Sequence, residues 1–148
     1  MATRERLHYQ RIIATMAGRM KQEFQQTRFL VHDLSRVPTT FGIVTACNPD
    51  GVTVSDEQNV AATECLRSAL VNAGFYFFAV TGCSPDFRHQ EPGFGITTDD
   101  RENIVKIGRN WQQEAIFWVE GGIVHLVSCR DPEVVTLGQW SALAQQSD

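Results

Sequence analysis

Polar side chains suited to acid–base chemistry follow the two most apolar stretches of the chain. Residues 41–47 run into Asn48-Pro-Asp-Gly, and residues 75–82 run into a loop that carries His89 and Glu91. In an extended segment, side chains two positions apart point to the same side, so this imidazole and carboxylate can act on one substrate. His89 and Glu91 are therefore the candidate catalytic pair. The alternative is an ordinary solvent loop, which often holds such residues.

Amide and hydroxyl groups near a predicted helix start are the candidates for ligand binding. Ser55 and Gln58 form a capping-box pattern, and the free backbone N–H groups of a helix start favour an anion such as phosphate or carboxylate. Asn48, Asn59 and Gln113 carry amides that donate and accept hydrogen bonds. Ordinary turn and capping roles for Asn48 and Ser55 are the structural alternative.

No motif indicates a cofactor or a metal. Neither the GxxxxGK[ST] phosphate loop nor the GxGxxG dinucleotide pattern occurs. Cys47, Cys83 and His89 are predicted to lie near one another, but the cysteines lack the CxxC spacing that zinc sites normally show. We therefore expect no cofactor, no metal ligands and free thiols.

Hydrophobic periodicity predicts the elements that position these residues. The predicted helices cover residues 3–26, 55–73 and 99–110, and the predicted strands cover 41–47, 75–81, 93–97, 115–119 and 123–128. Gly121 and Gly122 predict a hairpin turn between the last two strands. Residues 27–40, 83–92 and 131–140 are predicted as connections, the last with a short turn or strand fragment, and residues 145–148 as a frayed end.

The order of these elements predicts an α/β (α+β) fold. After the first helix, the order β-α-β-β-α-β matches the ferredoxin-like split βαβ arrangement, with one added C-terminal hairpin strand and an extra N-terminal amphipathic helix. We expect a single domain over residues 1–148, with its α/β core at 41–128. In this topology the ends of the first two strands and the start of the second helix share one edge, where the candidate site residues would meet.

The basic N-terminal segment has a separate set of expected partners. Residues 1–28 carry six Arg and Lys against two Glu, so they are +4 and the remaining chain is −8. The predicted helix has an apolar stripe that must be buried on its own sheet or on a second copy, which would make a homodimer. The stripe comprises Leu7, Ile12, Ile13, Met16, Met20 and Phe24. Nucleic acid is not favoured, because the acidic body lacks a basic stripe with interleaved aromatics.

Composition indicates a globular, cytoplasmic protein. The chain is 43% hydrophobic and 20% charged, as ordinary globular domains are. No apolar run approaches the roughly 20 residues that span a bilayer, so we expect no membrane contact, and the N-terminus lacks the apolar core of a secretory signal.

Several short elements of the sequence resemble a bacterial protein family of unknown function, DUF3293. The resemblance covers roughly residues 35–130, and it implies shared positions in a bacterial or phage-type protein without implying an activity. The elements are Thr45-Ala-Cys-Asn-Pro49, Asn59, Glu91-Pro-Gly-Phe94, Trp111-Gln-Gln-Glu-Ala-Ile-Phe117 and Leu126-Val-Ser-Cys129.

Two functions are open from the sequence, and whether the protein is an enzyme stays open with them. The first is a cytosolic domain that binds a small polar or anionic molecule at the polar sheet edge, with hydrolysis as a further step. The second is an interaction or regulatory protein, such as an inhibitor, that acts on a macromolecule through the basic helix or an exposed hairpin edge. A concave polar edge with a buried Glu91 favours the first function.

Overall fold

A mixed α+β fold built on one eight-stranded sheet is seen in the computed structural model, which describes residues 20–147. The strands are β1 Arg28–Val31, β2 Thr40–Thr45, β3 Phe77–Cys83, β4 Gln90–Thr97, β5 Ala115–Glu120, β6 Ile123–Ser128, β7 Val134–Gln139 and β8 Ala144–Gln146. The α-helices of these residues are α1 Gln22–Gln25, α2 Asp56–Asn72, α3 Arg101–Asn110 and α4 Trp140–Leu143. None of them is long and apolar enough to cross a membrane.

The strand order brings the candidate residues to one edge of the sheet. The order is β7-β6-β5-β2-β4-β3-β1-β8, and β4 lies antiparallel between β2 and β3. Thr45 pairs with Gly93 and Cys83 pairs with Gln90, so the ends of β2 and β3 lie beside the start of β4. The start of β5 lies at the same edge of the sheet, because Ile43 near the end of β2 pairs with Phe117 near the start of β5.

The sheet is strongly curled, as one aromatic contact demonstrates. Phe29 in β1 and Phe117 in β5 have ring centroids 5.0 Å apart, although three strands lie between them. Four strand spacings in a flat sheet would separate β1 from β5 by about 19 Å. The face that carries these two rings is therefore the concave face.

Apolar clusters cover both faces of the sheet. The concave cluster contains buried Phe29, Val31, Phe41, Ile43, Val80, Val119 and Val124. The opposite cluster, under α2 and α3, contains among others Val44, Leu66, Leu70, Ile96, Ile104, Ile116 and Trp118. Because β2 sends alternate side chains to the two clusters, its sequence is apolar at nearly every position.

Three sequence predictions about local structure are confirmed. Strand β2 covers most of residues 41–47, and Ser55 caps α2 through a complete capping box with Gln58. The hairpin of β5 and β6 turns at Gly121 and Gly122, which both have positive φ. Each of these features depends on neighbours in the chain.

The predicted connections are wrong in three places. Residues 27–40 contain β1, Gln90–Pro92 belong to β4, and residues 145–148, predicted to fray, contain part of β8. The strand fragment expected within residues 131–140 is present as β7. Strands β1 and β8 have only four and three residues, too few to show a period. They are strands because β1 pairs antiparallel with β3 and because β8 pairs in parallel with β1. Glu91 therefore lies in a strand and not in a loop.

The predicted N-terminal helix lies largely outside the described residues. Within them, only Gln22–Gln25 is helical, and Lys21 has an extended backbone with φ −60° and ψ 134°. A continuous helix through residue 26 is therefore wrong over this part. Met20 and Lys21 are both buried instead.

Candidate functional site

Asn48 organises the polar edge immediately after β2. It has a left-handed backbone, with φ 48° and ψ 63°, and it is only 5% exposed. Its side-chain Oδ1 accepts hydrogen bonds from the backbone N–H of Val54 and from Nδ2 of Asn59, both at 3.1 Å. Asn59 Oδ1 in turn accepts the backbone N–H of Asn48 at 2.8 Å. The two asparagines thus fix the start of α2 against the end of β2.

Glu91 connects this asparagine pair to His89. Asn48 Nδ2 donates to Glu91 Oε1 at 2.9 Å, and His89 Nε2 lies 3.5 Å from the same oxygen. The side chains of His89 and Glu91 are each about one quarter exposed. A fixed carboxylate beside an imidazole that solvent can reach is an arrangement able to transfer a proton.

The loop before β4 holds His89 through its backbone. The backbone N–H of His89 donates to Ser84 Oγ at 3.1 Å, and Ser84 Oγ donates to Asp86 at 2.6 Å. Asp86 also accepts the backbone N–H of Arg88, and the hydrogen bond from Ser84 lowers the pKa of its carboxyl. Through these two hydrogen bonds the Asp86 carboxylate shapes the loop.

Gln113 joins the end of β2 to the start of β5. Its Nε2 donates to the backbone carbonyls of Cys47 and Trp111, each at 3.1 Å, and its Oε1 accepts Thr45 Oγ1 at 3.1 Å. The side chain is therefore a neighbour of the Asn48–Glu91 contact and is fully engaged with the protein.

Ser55 is the one predicted ligand residue that the structure keeps out of this network. Its Oγ accepts the backbone N–H of Gln58 at 3.1 Å and lies 3.2 Å from Gln58 Oε1. The side chain is exposed and serves as the cap of α2. Ser55 therefore has an ordinary capping role, the alternative to ligand binding that its sequence context also offered.

A buried ion pair at the same edge was missed by the sequence reasoning. Lys21 Nζ lies 3.0 Å from Glu114 Oε2, and these side chains are 10% and 18% exposed. Arg130 contacts the other oxygen of Glu114 at 3.3 Å. Gly51 has φ +73°, and a Cβ there would lie 2.9 Å from both Lys21 Nζ and Glu114 Oε1. The only feature of the sequence that pointed to this ion pair was Gly51, in the turn after β2, which leaves room for the two charged side chains.

Two cavities meet at Glu91 and His89, and both side chains line both of them. We call the first the inner cavity. It has about 120 Å³ and lies on the concave face, against Phe29, Ile43, Phe117 and Leu126. The second, the outer groove, has about 730 Å³ and runs along α2 past Cys47, Thr53, Asn59, Thr63 and Pro92. Among residues 20–147, the buried Thr53 Oγ1 has no hydrogen-bond partner.

The cysteines are free thiols, and no metal-binding cluster is present in the described part of the chain. Residues 20–147 contain no group of three or more His, Cys, Asp or Glu side chains arranged to hold a metal ion. Burial raises the pKa of Cys83 and that of Cys129 to about 11. Cys47 is buried, with Sγ 3.7 Å from the carbonyl of Pro92, whereas Cys65 is exposed.

One thiol, that of Cys65, is expected to react rapidly with iodoacetamide in the native protein. At pH 8 only about one in a thousand thiols with a pKa near 11 is ionised, and burial further blocks the reagent. Intact mass spectrometry should show one fast addition, and four additions after denaturation. The Cys65→Ser variant should lose the fast addition; a fast addition that persists in this variant would contradict the assignment.

Comparisons with known proteins identify one family. Residues 44–116 match the model of a family described as "Protein of unknown function (DUF3293)", which confirms the resemblance seen in the sequence. The matched stretch contains all six candidate residues, whereas Lys21 and Arg130 lie outside it. No curated protein and no solved structure is significantly similar to the chain.

Proposed function

We propose that this protein binds a small polar molecule beside Glu91 and His89, and that this pair is its proton-transfer group. The observation that carries the proposal is the position of the pair at the meeting point of the inner cavity and the outer groove. Sites for small molecules are typically concave, with a few convergent polar groups on a largely apolar lining.

The other members of the network have positioning roles in this proposal. All three hydrogen bonds of the Asn48 side chain go to protein groups, as do those of Gln113. Asn59 is likewise bonded to Asn48. Asn48 therefore holds the carboxylate of Glu91 in place, Asn59 and Gln113 hold Asn48 and the end of β2, and Glu91 and His89 contact the ligand.

Hydrolysis is the reaction that this pair suits. Glu91 would take a proton from a water molecule as the water oxygen attacks the substrate, and protonated His89 would donate a proton to the leaving group. Asn48 stabilises the ionised form of Glu91 by donating to it. A ligand that binds without turnover would limit the proposal to binding.

At the level of the fold, we propose that the core belongs to the ferredoxin-like split βαβ type. The order β5-β2-β4-β3 supports this proposal, because the four strands pair antiparallel and α2 and α3 connect them in the expected sequence. Strands β1, β6, β7 and β8 extend this core on its two sides.

The interaction or regulatory function has less support. It relied in part on an exposed edge at the β5–β6 hairpin, but β6 pairs with β7 along most of its length. Its other support, the basic helix, lies mostly outside residues 20–147. A homodimer through that helix and a cytoplasmic location remain predictions from the sequence.

The test is native mass spectrometry of the full chain purified from cells. We expect a retained small molecule on the wild type and on Glu120→Gln, a matched control at the exposed far end of β5. Glu91→Gln should weaken binding about 10- to 100-fold, because hydrogen bonds to charged groups are worth about 1.5–3 kcal/mol. Equal retention by Glu91→Gln would contradict the proposal. So would a wild type that carries no molecule and binds none from a cell extract.

A further inference from the structure

We propose that α2 pairs with α2 of a second copy of this chain in an antiparallel, two-fold symmetric dimer. The residues in contact are Val60, Glu64, Arg67 and Val71, which we call the α2 stripe. The proposal concerns the assembly of the protein, so it goes beyond the proposed function and does not depend on the ligand site.

The α2 helix uses little of its surface to contact its own domain. Of its 17 residues only Leu66 and Leu70 are buried, and Ala62 packs partly buried against the same apolar cluster. A surface helix normally turns three to four apolar residues toward the core in every two turns, so a helix of this length would bury roughly seven to nine. Most of the α2 surface therefore faces solvent.

The large apolar side chains that α2 exposes are arranged symmetrically. Val60 is 64% exposed and Val71 is 54% exposed, and they lie at equal distances along the chain from the middle of the stripe. Val52 and Tyr76, which are 60% and 83% exposed, lie just before and just after the helix. Four of the six large apolar side chains exposed within residues 20–147 thus belong to α2 or to its two ends. Exposed apolar surface concentrated in this way is typical of a protein–protein contact.

The spacing of the α2 stripe is that of a coiled-coil contact. Its residues follow one another at intervals of four, three and four positions, which places them on one side of the helix. In a two-fold symmetric pair, residue i of one copy contacts residue j of the other, and j contacts i. Val60 then packs on Val71 of the second copy, and Glu64 faces Arg67 of the second copy. The stripe is therefore complementary to itself.

The two charged residues of the stripe favour a second copy in the antiparallel orientation. Glu64 and Arg67 lie 3.2 Å apart within one chain, and each side chain is about half exposed or more. A parallel pair would place Glu64 opposite Glu64 and Arg67 opposite Arg67, and like charges opposite one another are unfavourable. In the antiparallel pair both contacts join opposite charges.

The length of the contact indicates a weak dimer. A helix of 17 residues is about 25 Å long, and contact along a single helix is at the low end of the size range of specific interfaces. We therefore expect dissociation in the micromolar range. Val60 and Glu64 also line the outer groove, so the second copy would form part of its rim.

The first test is sedimentation velocity of the full-length protein from about 1 to 300 µM, a range that includes micromolar dissociation constants. We expect the wild type to change from monomer to dimer. Val71→Lys should weaken the dimer by at least about 10-fold, because it buries an unpaired charge in the contact. Val134→Lys, at an exposed valine of β7, is the matched control and should dimerise as the wild type does. A wild type that stays monomeric, or a dimer that Val71→Lys leaves unchanged, would overturn the inference.

Charge reversal then identifies the residues that face each other. Glu64→Arg and Arg67→Glu should each weaken the homodimer by about 10-fold, because each variant turns both charged contacts into like-charge pairs. An equimolar mixture of the two variants should associate about as tightly as the wild type, since every contact between copies again joins opposite charges. The ion pair within α2 is lost in both variants, so this recovery can come only from contact between copies. A mixture no more associated than either variant alone would overturn the antiparallel pairing.

Discussion

Replacing Asn48 by Ala is expected to lower the free energy of unfolding by at least about 3 kcal/mol, the largest effect of any single change at the site. Ala removes the partner of the Val54 N–H and of Asn59 Nδ2, and each buried polar group left unsatisfied costs about 1–3 kcal/mol. Ala also tolerates the left-handed backbone of residue 48 poorly, which adds roughly 1–2 kcal/mol. Urea unfolding followed by circular dichroism measures the change.

One further variant separates the backbone contribution to this loss of stability, and a second serves as a control. Asn48→Gly keeps the left-handed backbone without strain, so the difference between the Gly and Ala variants reports the backbone share. Asn72→Ala, at the exposed last position of α2, should change stability by less than about 0.5 kcal/mol. If Asn48→Ala were as stable as the wild type, the hydrogen bonds of Asn48 would not be structural, and we would reassign it to ligand contact.

Replacing Gly93 by Ala is expected to destabilise the protein by about 1–3 kcal/mol and to weaken the proposed ligand binding at Glu91. A Cβ at this position would lie 2.5 Å from the carbonyl oxygen of Val44 and 2.7 Å from Thr45 Cγ2. The obstacle is largely backbone, so β2 and β4 must move apart, and forced overpacking typically costs about 1–3 kcal/mol. Glu91 precedes Gly93 by two residues and would move with the strand.

Gly82 offers a matched control in the neighbouring strand. A Cβ there would meet Thr27 Cγ2 at 3.6 Å, an ordinary contact. Gly82→Ala should therefore be neutral or slightly stabilising, since Ala is favoured over Gly in a strand interior by roughly 0.5–1 kcal/mol. Thermal unfolding of both variants tests the difference. Equal melting temperatures for the two would show that the strands adjust freely at Gly93.

The positions of the main elements follow from local sequence. The capping box of Ser55 and Gln58, the apolar residues of β2 and the two glycines of the β5–β6 hairpin each act over a few residues. Such signals can be read without knowing the rest of the chain. The expected meeting of Asn48, Asn59 and Glu91 also follows, because it requires only the order of the strands and α2.

Contacts between residues far apart in the chain decided the parts of the fold and of the site that local sequence does not predict. Strands β1 and β8 are too short to be recognised alone; β1 forms by pairing with β3, and β8 forms by pairing with β1, more than 100 positions earlier in the chain. The ion pair of Lys21 and Glu114 joins the start of the described chain to β5. The inner cavity exists because the sheet curls until β1 approaches β5. Curvature and burial depend on all strands together. The sequence therefore determined which polar groups meet, and the tertiary structure decided which of them line the two cavities.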